Sequence, residues 1–361
     1  MYFICKNSEK IMIKRLLISL VLPLAAAFCL GAASPQKMHQ VAGVAFYNLE
    51  NLFDTINNNG KYDKEFSPDG ARQWNGEKYR SKLHNLAYAI SQMRSRITPM
   101  GPAIIGVSEI ENRSVLDDLV AQPEVADMHL QVVHHDSPDR RGVDVGLLYN
   151  PRMFRVLSVS NTTLTIPSNP RFRTRDQMCV TGLLMGEKVS VIVNHWPSRL
   201  GGQEQSSYLR EAAAALSKHI ADSVLALDPN QGIIIMGDMN DDPQDRSMAV
   251  VLGARKKKED VKPGEYYNPW WAMLDKGIGT LAYKGQWNLF DQIVLSHYFL
   301  GDDRSRWTFF KAEVLNREFL KTKEGDRAGY PLRTFAGGAF LNGYSDHFPT
   351  QVFLVRTPQQ K

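Results

Sequence analysis

The stretch "YSDHFPTQVFL", residues 344–354, places an acid and an imidazole, Asp346 and His347, at the mouth of an apolar run. The run reads as a largely buried strand. Asp and Ser suit a tight turn, so a capped turn explains the pair as well as a site at the strand mouth does. Taken alone, the stretch leaves both readings open. The rest of the chain bears on the choice, because the same arrangement recurs.

"AFYNLENLFD" (45–54) carries Asn48 and Glu50 where its apolar run stops, and "IIGVSEIEN" (104–112) carries Glu109. "VIVNHWPSR" (191–199) ends on Asn194 and His195, and "IIIMGDMND" (233–241) ends on Asp238 and Asn240. "LFDQIVL" (289–295) begins beside Asp291. Strands are expected at 41–48, 103–110, 130–135, 143–149, 189–196, 232–238, 288–295 and 350–355. Two helices are expected. In 78–93, Tyr79, Leu83, Leu86, Ile90 and Met93 step by 4, 3, 4 and 3; in 206–227, Leu209, Leu216, Ile220, Val224 and Leu227 keep a similar stripe. Strands outnumber helices, and near-continuous apolar strands predict two sheets packed face to face with helices outside.

Ligands bind at strand ends in α/β sheets. The strand ends here bring carboxylates, three amides, two imidazoles and no thiol. Hard oxygen donors of this kind suit Mg²⁺ or Mn²⁺ rather than zinc. Histidine beside carboxylate suits acid–base work near neutral pH. Hydrolysis of a phosphate ester fits this kit, with positive charge on the phosphoryl oxygens and an activated water.

The ordered set "NLEN", "SEIEN", "NHWPSR", "GDMND", "FDQI" and "YSDHFP" resembles the endonuclease/exonuclease/phosphatase superfamily, over about residues 41–356. The resemblance implies a four-layer α/β/β/α sandwich of the deoxyribonuclease I-like kind, two packed mixed sheets with outer helices. It implies that Glu109 anchors the metal, with Asn48, Glu50 and Asp346 around it. It implies that Asp238 and Asn240 hold the attacking water and a phosphoryl oxygen, and that His347, buttressed by Asp291, is the catalytic imidazole. His195 matches the nuclease and sphingomyelinase branches, where a second histidine protonates the leaving oxygen; Asp144 stands where a carboxylate supports it. Asn194, Arg141, Arg175 and Arg199 are candidate phosphate contacts, since guanidinium forks suit phosphate.

The N-terminus carries Lys14 and Arg15 before "LLISLVLPLAAAFCLGAAS", an apolar run of signal-peptide length ending in small residues. A signal peptide is expected at 1–33, a short polar tail at 34–40 and a single domain at 41–357, exported to the periplasm or beyond. Cys29 follows Phe28 where lipidation wants a small residue, so a lipoprotein is the lesser reading. Lys6, Lys10, Lys14 and Arg15 against Glu9 give residues 1–33 a net +3 of the chain's +5, leaving +2. The basic balance is therefore mostly targeting and gives little support for a polyanion partner. Cys179 alone remains beyond residue 33, so no internal disulfide is expected. No later run is apolar long enough to span a bilayer, and no obligate protein partner is evident.

Among substrates, a nuclease acting on DNA or RNA leads. A sphingomyelinase-like enzyme would want a membrane-contacting hairpin, for which "YYNPWWAML" (266–274) is the candidate. An inositol- or sugar-phosphate phosphatase would want a dense basic pocket. A non-catalytic binding module on the same fold would have lost one of the site residues, and all are present.

Overall fold

In the computed structural model, residues 39–57 and 63–358 are described. The expected signal segment lies outside them, as does all but the end of the polar tail. From Gln40 on, the described residues pack as one unit.

Strands β1 (Gln40–Leu52), β2 (Ile104–Ile110), β3 (Gln131–His134) and β4 (Asp144–Tyr149) begin the chain. They are followed by β5 (Phe154–Thr162), β6 (Gln177–Leu184), β7 (Glu187–His195) and β8 (Gly232–Asp238). The short strands β9 (Ala254–Arg255) and β10 (Tyr266–Tyr267) come next, then a hairpin of β11 (Leu281–Tyr283) and β12 (Gln286–Asn288). The chain closes with β13 (Asp291–Ser296), β14 (Thr308–Val314), a small hairpin of β15 (Phe335–Ala336) and β16 (Ala339–Phe340), and β17 (Thr350–Arg356). One sheet has the order β14-β17-β1-β2-β4-β3, the other β5-β6-β7-β8-β13-β10-β9. Both are mixed: β1 runs parallel to β2 and antiparallel to β17, while β7 runs parallel to β8, which is antiparallel to β13.

The sheets face each other through Val44, Phe46, Leu147, Val191, Val193, Ile234, Met236, Ile293, Val352 and Leu354, all fully buried. Alternation along each strand sends the other residues outward. Ala45, Tyr47, Ile105 and Val107 pack under helices α1 (Gly76–Ser91) and α2 (Arg113–Val120). Ile192, Ile233 and Ile235 pack under α3 (Gln203–Leu227). The result is the four-layer α/β/β/α sandwich. The sheets approach closely at Gly106, where a Cβ would lie 2.5 Å from the Met236 sulfur.

The eight expected strands are all present. β5, β6 and β14 were not foreseen, nor were the strands of two or three residues. β5 is an edge strand with Leu157, Ser158, Val159 and Ser160 turned to solvent, and an edge that packs on one side carries little hydrophobic signal. The aromatic run 266–274 is anchored in the core: Tyr266, Asn268 and Trp270 are fully buried, and the Trp270 indole N–H donates to the Ile293 carbonyl at 2.8 Å. It is no membrane hairpin. No described helix is long and apolar enough to cross a membrane.

Candidate active site

The central strands of both sheets end together, and the polar residues sit on those ends. Register fixes half of the set. His195 on β7 is the strand partner of Asp238 on β8, and Asp238 in turn partners Asp291 on β13. On the facing sheet, Asn48 on β1 is level with Ser108 on β2, one residue before Glu109. His347 lies three residues before β17, the neighbour of β1.

Both facing strands break register at this point. The β1–β2 ladder shifts between Asn48 and Leu52, and the β2–β4 ladder between Ser108 and Ile110. Glu50, Asn51 and Glu109 take φ of +47°, +53° and +60°, and Asn240, in the loop after β8, takes +51°. Left-handed backbone at non-glycine residues is costly. Bulges of this kind re-aim side chains at sites. Here they turn the Glu109 carboxylate to accept from the Asn51 N–H at 3.0 Å.

Asp238 is the hub. Its Oδ2 accepts from the Asn48 amide at 3.1 Å and its Oδ1 from the Asn240 N–H at 3.0 Å. Oδ2 also lies 3.6 Å from His195 Nε2 and 4.0 Å from His347 Nε2. Those two gaps exceed a direct hydrogen bond. The far nitrogen of His347, Nδ1, is bound by Asp291 Oδ2 at 2.7 Å. Glu109 Oε1 stands 3.8 Å from His195 Nε2 and from Arg141, whose side chain is half exposed at the rim. Asp346 Oδ1 is 3.9 Å from His347 Nε2.

Burial and charge set the protonation of these groups apart. Burial pushes the Asp238 carboxyl up to about 7, against the pull of the His347 charge; Asp291 and Glu109 add to the rise. His195 is held well below the ordinary imidazole value, first by burial and then by the Arg175 and Arg141 charges. His347 is also buried, which alone would lower it, but the charge and hydrogen bond of Asp291, with Asp238 and Asp346, hold it well above the ordinary value. The surroundings thus favour the charged form of His347 and the neutral form of His195; the division expected from the sequence gives His195 the proton for the leaving oxygen.

Several expected contacts are committed elsewhere. Asp144 does not support His195; it accepts from the Ser137 N–H and hydroxyl and pairs with His134 Nε2 at 3.0 Å. The His195 Nδ1 has no hydrogen-bond partner among the described residues. Asn194 is wholly buried and uses its amide in structure, donating to the Ile192 and Met236 carbonyls and accepting from Trp196 and Ser217. Arg175 spends its guanidinium on the His195 and Trp196 carbonyls and on Asp139. Arg199 binds the Asn240 carbonyl, Gln203 and Asp245, and covers the Phe290 ring. Of the four proposed phosphate contacts, only Arg141 keeps an open guanidinium: Asn194 and Arg175 are buried, where polar groups must be paired, and Arg199 is taken up by Asp245.

Glu50 is likewise engaged. It accepts from the Thr334 N–H and hydroxyl at 2.7 and 2.8 Å, and the buried Lys82 ammonium is 3.6 Å away. Arg333 joins it to Asp346, donating to Glu50 at 3.3 Å and to Asp346 at 2.7 Å. Arg333 thus brings Glu50 and Asp346 to one guanidinium. The sequence reading missed Arg333 and Lys82. Arg333 stands in a loop without periodicity, and no local signal marks it. Lys82 stands three residues after Tyr79 and four before Leu86 in α1, and that spacing should have marked it as buried.

Asp238, Asp291 and His347 have ligand atoms mutually close enough to hold an ion. So do His134, Asp136 and Asp144. The oxygens of Glu109 Oε1 and Asp346 Oδ1 make no hydrogen bond within the chain's described residues. Those two free carboxylate oxygens and the thiol-free surroundings fit a hard divalent cation.

The chain belongs to the Endonuclease/Exonuclease/phosphatase family, whose model matches residues 43–356. Its fold is shared by solved structures of low identity. Danio rerio TDP2, humanized by 14 mutations, superposes with a TM-score of 0.53 at 11% identity, covering 87% of this chain and 98% of that one. An endonuclease/exonuclease/phosphatase family protein from Bacteroides thetaiotaomicron gives 0.52 at 16% identity, covering 90% and 100%. A mannosyl-6-phosphatase from the same organism gives 0.52 at 16%, covering 87% and 99%. No curated protein sequence matches the chain. The chain is thus a phosphoesterase of this superfamily.

Proposed function

We propose that the chain is an exported, divalent-metal-assisted phosphoesterase that cleaves phosphodiesters, nucleic acid first among them. One observation carries the hydrolytic reading. The Asp291-bound His347 and His195 both turn Nε2 toward one carboxylate, Asp238, at 4.0 and 3.6 Å, so that an oxygen standing beside the three atoms would meet all of them. Glu109, Asp346 and Asn48 would hold the metal, Mg²⁺ or Mn²⁺, which when bound supplies positive charge to the phosphoryl group and acidifies water. Asp238, with a carboxyl poised near neutrality, holds the attacking water through its oxygens and takes its proton. His347 neutralises developing charge and gives its proton to the leaving oxygen. Asn48 and Asn240 keep Asp238 in place, and Arg141 meets the substrate at the rim. Support for nucleic acid comes from the arginine at the rim and from TDP2, described in one structure with a single-stranded DNA product. Export rests on the apolar segment before residue 34.

A second reading, a sugar-phosphate substrate, is favoured by a compact cavity beside Asp346. The test is a panel on the chain beginning at Ser34: plasmid DNA, RNA, sphingomyelin and sugar phosphates, each with Mg²⁺, Mn²⁺ or chelator. Nicking of DNA or RNA that stops in chelator is expected. Release of phosphate from sugar phosphates with nucleic acid left intact would replace the first reading by the second.

A further inference from the structure

A cavity of about 420 Å³ opens beside Asp346, one residue from His347. One wall is the turn of the β11–β12 hairpin, where Tyr283 and Lys284 stand; Arg327, Tyr330 and Arg333 form the other. The turn is tight. Tyr283 pairs with Gln286 across it, and Lys284 and Gly285 both take positive φ, +48° and +84°, the requirement of a two-residue hairpin loop matched to strand twist.

The two walls are tied to the catalytic residues. Trp287 on β12 packs edge-on against Tyr330, with ring centres 5.4 Å apart, and stacks on Phe348 at 6.0 Å. Phe348 follows His347 directly, and its N–H donates to the Thr280 carbonyl at 2.7 Å. The hairpin runs on into Asp291 within three residues of its end. Whatever the cavity holds is therefore held at a fixed distance from the His347–Asp291 pair.

The lining has a definite chemistry. Arg333 already bonds Glu50 and Asp346, while Lys284 and Arg327 have no carboxylate partner among the described residues. Tyr283 is 65% exposed, with the Lys284 ammonium 5.3 Å from its ring centre. Two tyrosine rings offer flat faces and hydroxyls, and Asp326 adds an acceptor. Guanidinium and ammonium groups recognise phosphate oxygens. The volume falls near the lower end of the range for small-ligand sites, about 300–1,000 Å³, the size for a single substituted ring.

We propose that this cavity is the substrate-recognition subsite and takes a phosphorylated sugar unit, either a free sugar phosphate or the terminal sugar of a nucleic-acid strand. The proposal rests on the phosphoesterase reading for its purpose, but its test does not need turnover. Calorimetry on the His347→Gln chain with Mg²⁺ would compare glucose 6-phosphate, a 5′-phosphorylated single-stranded trinucleotide and inorganic phosphate. At least one of the first two should bind tenfold or more tightly than inorganic phosphate, and which one does so identifies the source. Arg327→Ala and Lys284→Ala, both at exposed positions and checked for folding by a circular dichroism melt, should each weaken that binding severalfold and leave inorganic phosphate less affected. Neither ligand exceeding inorganic phosphate, or both variants binding as the parent does, would overturn the subsite. Separately, the chain with His347 intact should hydrolyse p-nitrophenyl phosphate or its diester. If it hydrolyses neither with Mg²⁺ or Mn²⁺ while the binding result holds, the catalytic reading fails and the subsite stands.

Discussion

Asp238 is the residue at which stability and chemistry oppose one another. In an unfolded chain its carboxyl titrates near 3.9; buried among Asp291 and Glu109 it keeps its proton to about 7. The folded state therefore binds more protons than the unfolded state between those values, and stability falls as pH rises through that window. Asp238→Asn carries no such penalty. In chelator, its melting temperature should gain on the parent as pH climbs from 4.5 to 8, while activity in metal drops by at least about a hundredfold, the lower range for loss of an acid–base group. A gap that stays flat with pH would show that Asp238 is not buried against its charge. The two histidines make a second test. With His347 giving the proton to the leaving oxygen, as proposed, His347→Ala should be partly rescued by a nitrophenyl diester, whose leaving group needs little protonation. His195→Ala should show no such rescue. The opposite pattern would return the proton donor to His195.

At the scale of the element, the β7–β8 pair is what sets His195 beside Asp238. Gly237 is the strand partner of Asn194, and a Cβ there would lie 2.2 Å from the Asn194 carbonyl oxygen. Backbone cannot rotate away as a side chain can. Gly237→Ala must separate the two strands where both site residues begin, at a cost of about 1–3 kcal/mol, the usual range for overpacking. Activity should fall more than stability, since a displacement near 1 Å at catalytic groups costs on the order of a hundredfold. Urea denaturation and kcat measured together check this; a variant that loses stability but keeps full kcat would mean the close approach serves packing alone.

Across the whole molecule, Lys82 joins distant parts of the chain. From α1 its buried ammonium donates to the Thr334 hydroxyl and the Tyr344 carbonyl, 3.6 Å from Glu50. It thereby fixes the loop that leads into Asp346 and His347 against β1. Lys82→Met leaves Glu50 beside Asp346 without its buried cation, and breaking one side of a buried pair costs about 3–5 kcal/mol. Lys82→Met with Glu50→Gln should recover part of that loss in urea denaturation; a double variant no better than the single would locate the effect in packing. The hydrophobic sandwich needs no ion, because its core is formed from both sheets and two helical layers. Chelator should therefore abolish hydrolysis and shift the melting temperature by only a few degrees. Collapse of the fold in chelator would assign the metal a structural role.

The apolar runs of β1, β2, β7, β8, β13 and β17 determined the sandwich by themselves, because strands buried on both faces show as continuous hydrophobic sequence. The polar residues at their tips were legible as a set: a turn or cap explains any one of them, but not the same arrangement on six strands. Spacing could not tell which of those side chains face the site. Asn194 and His195 are neighbours, yet strand alternation sends the amide into the structure under α3 and the imidazole toward Asp238. Arg175 and Arg199 read like phosphate ligands, but buried carbonyls and carboxylates close at hand take up their forks. Asp144 pairs with His134 across a β3–β4 contact that sequence order does not reveal. Arg333 enters the carboxylate cluster from a loop with no periodicity at all. Residue type and strand hydrophobicity are local properties, carried by the sequence. The partner of each charge, and so which histidine is favoured in its charged form, depends on contacts between segments up to 316 residues apart, and only the packed fold sets those.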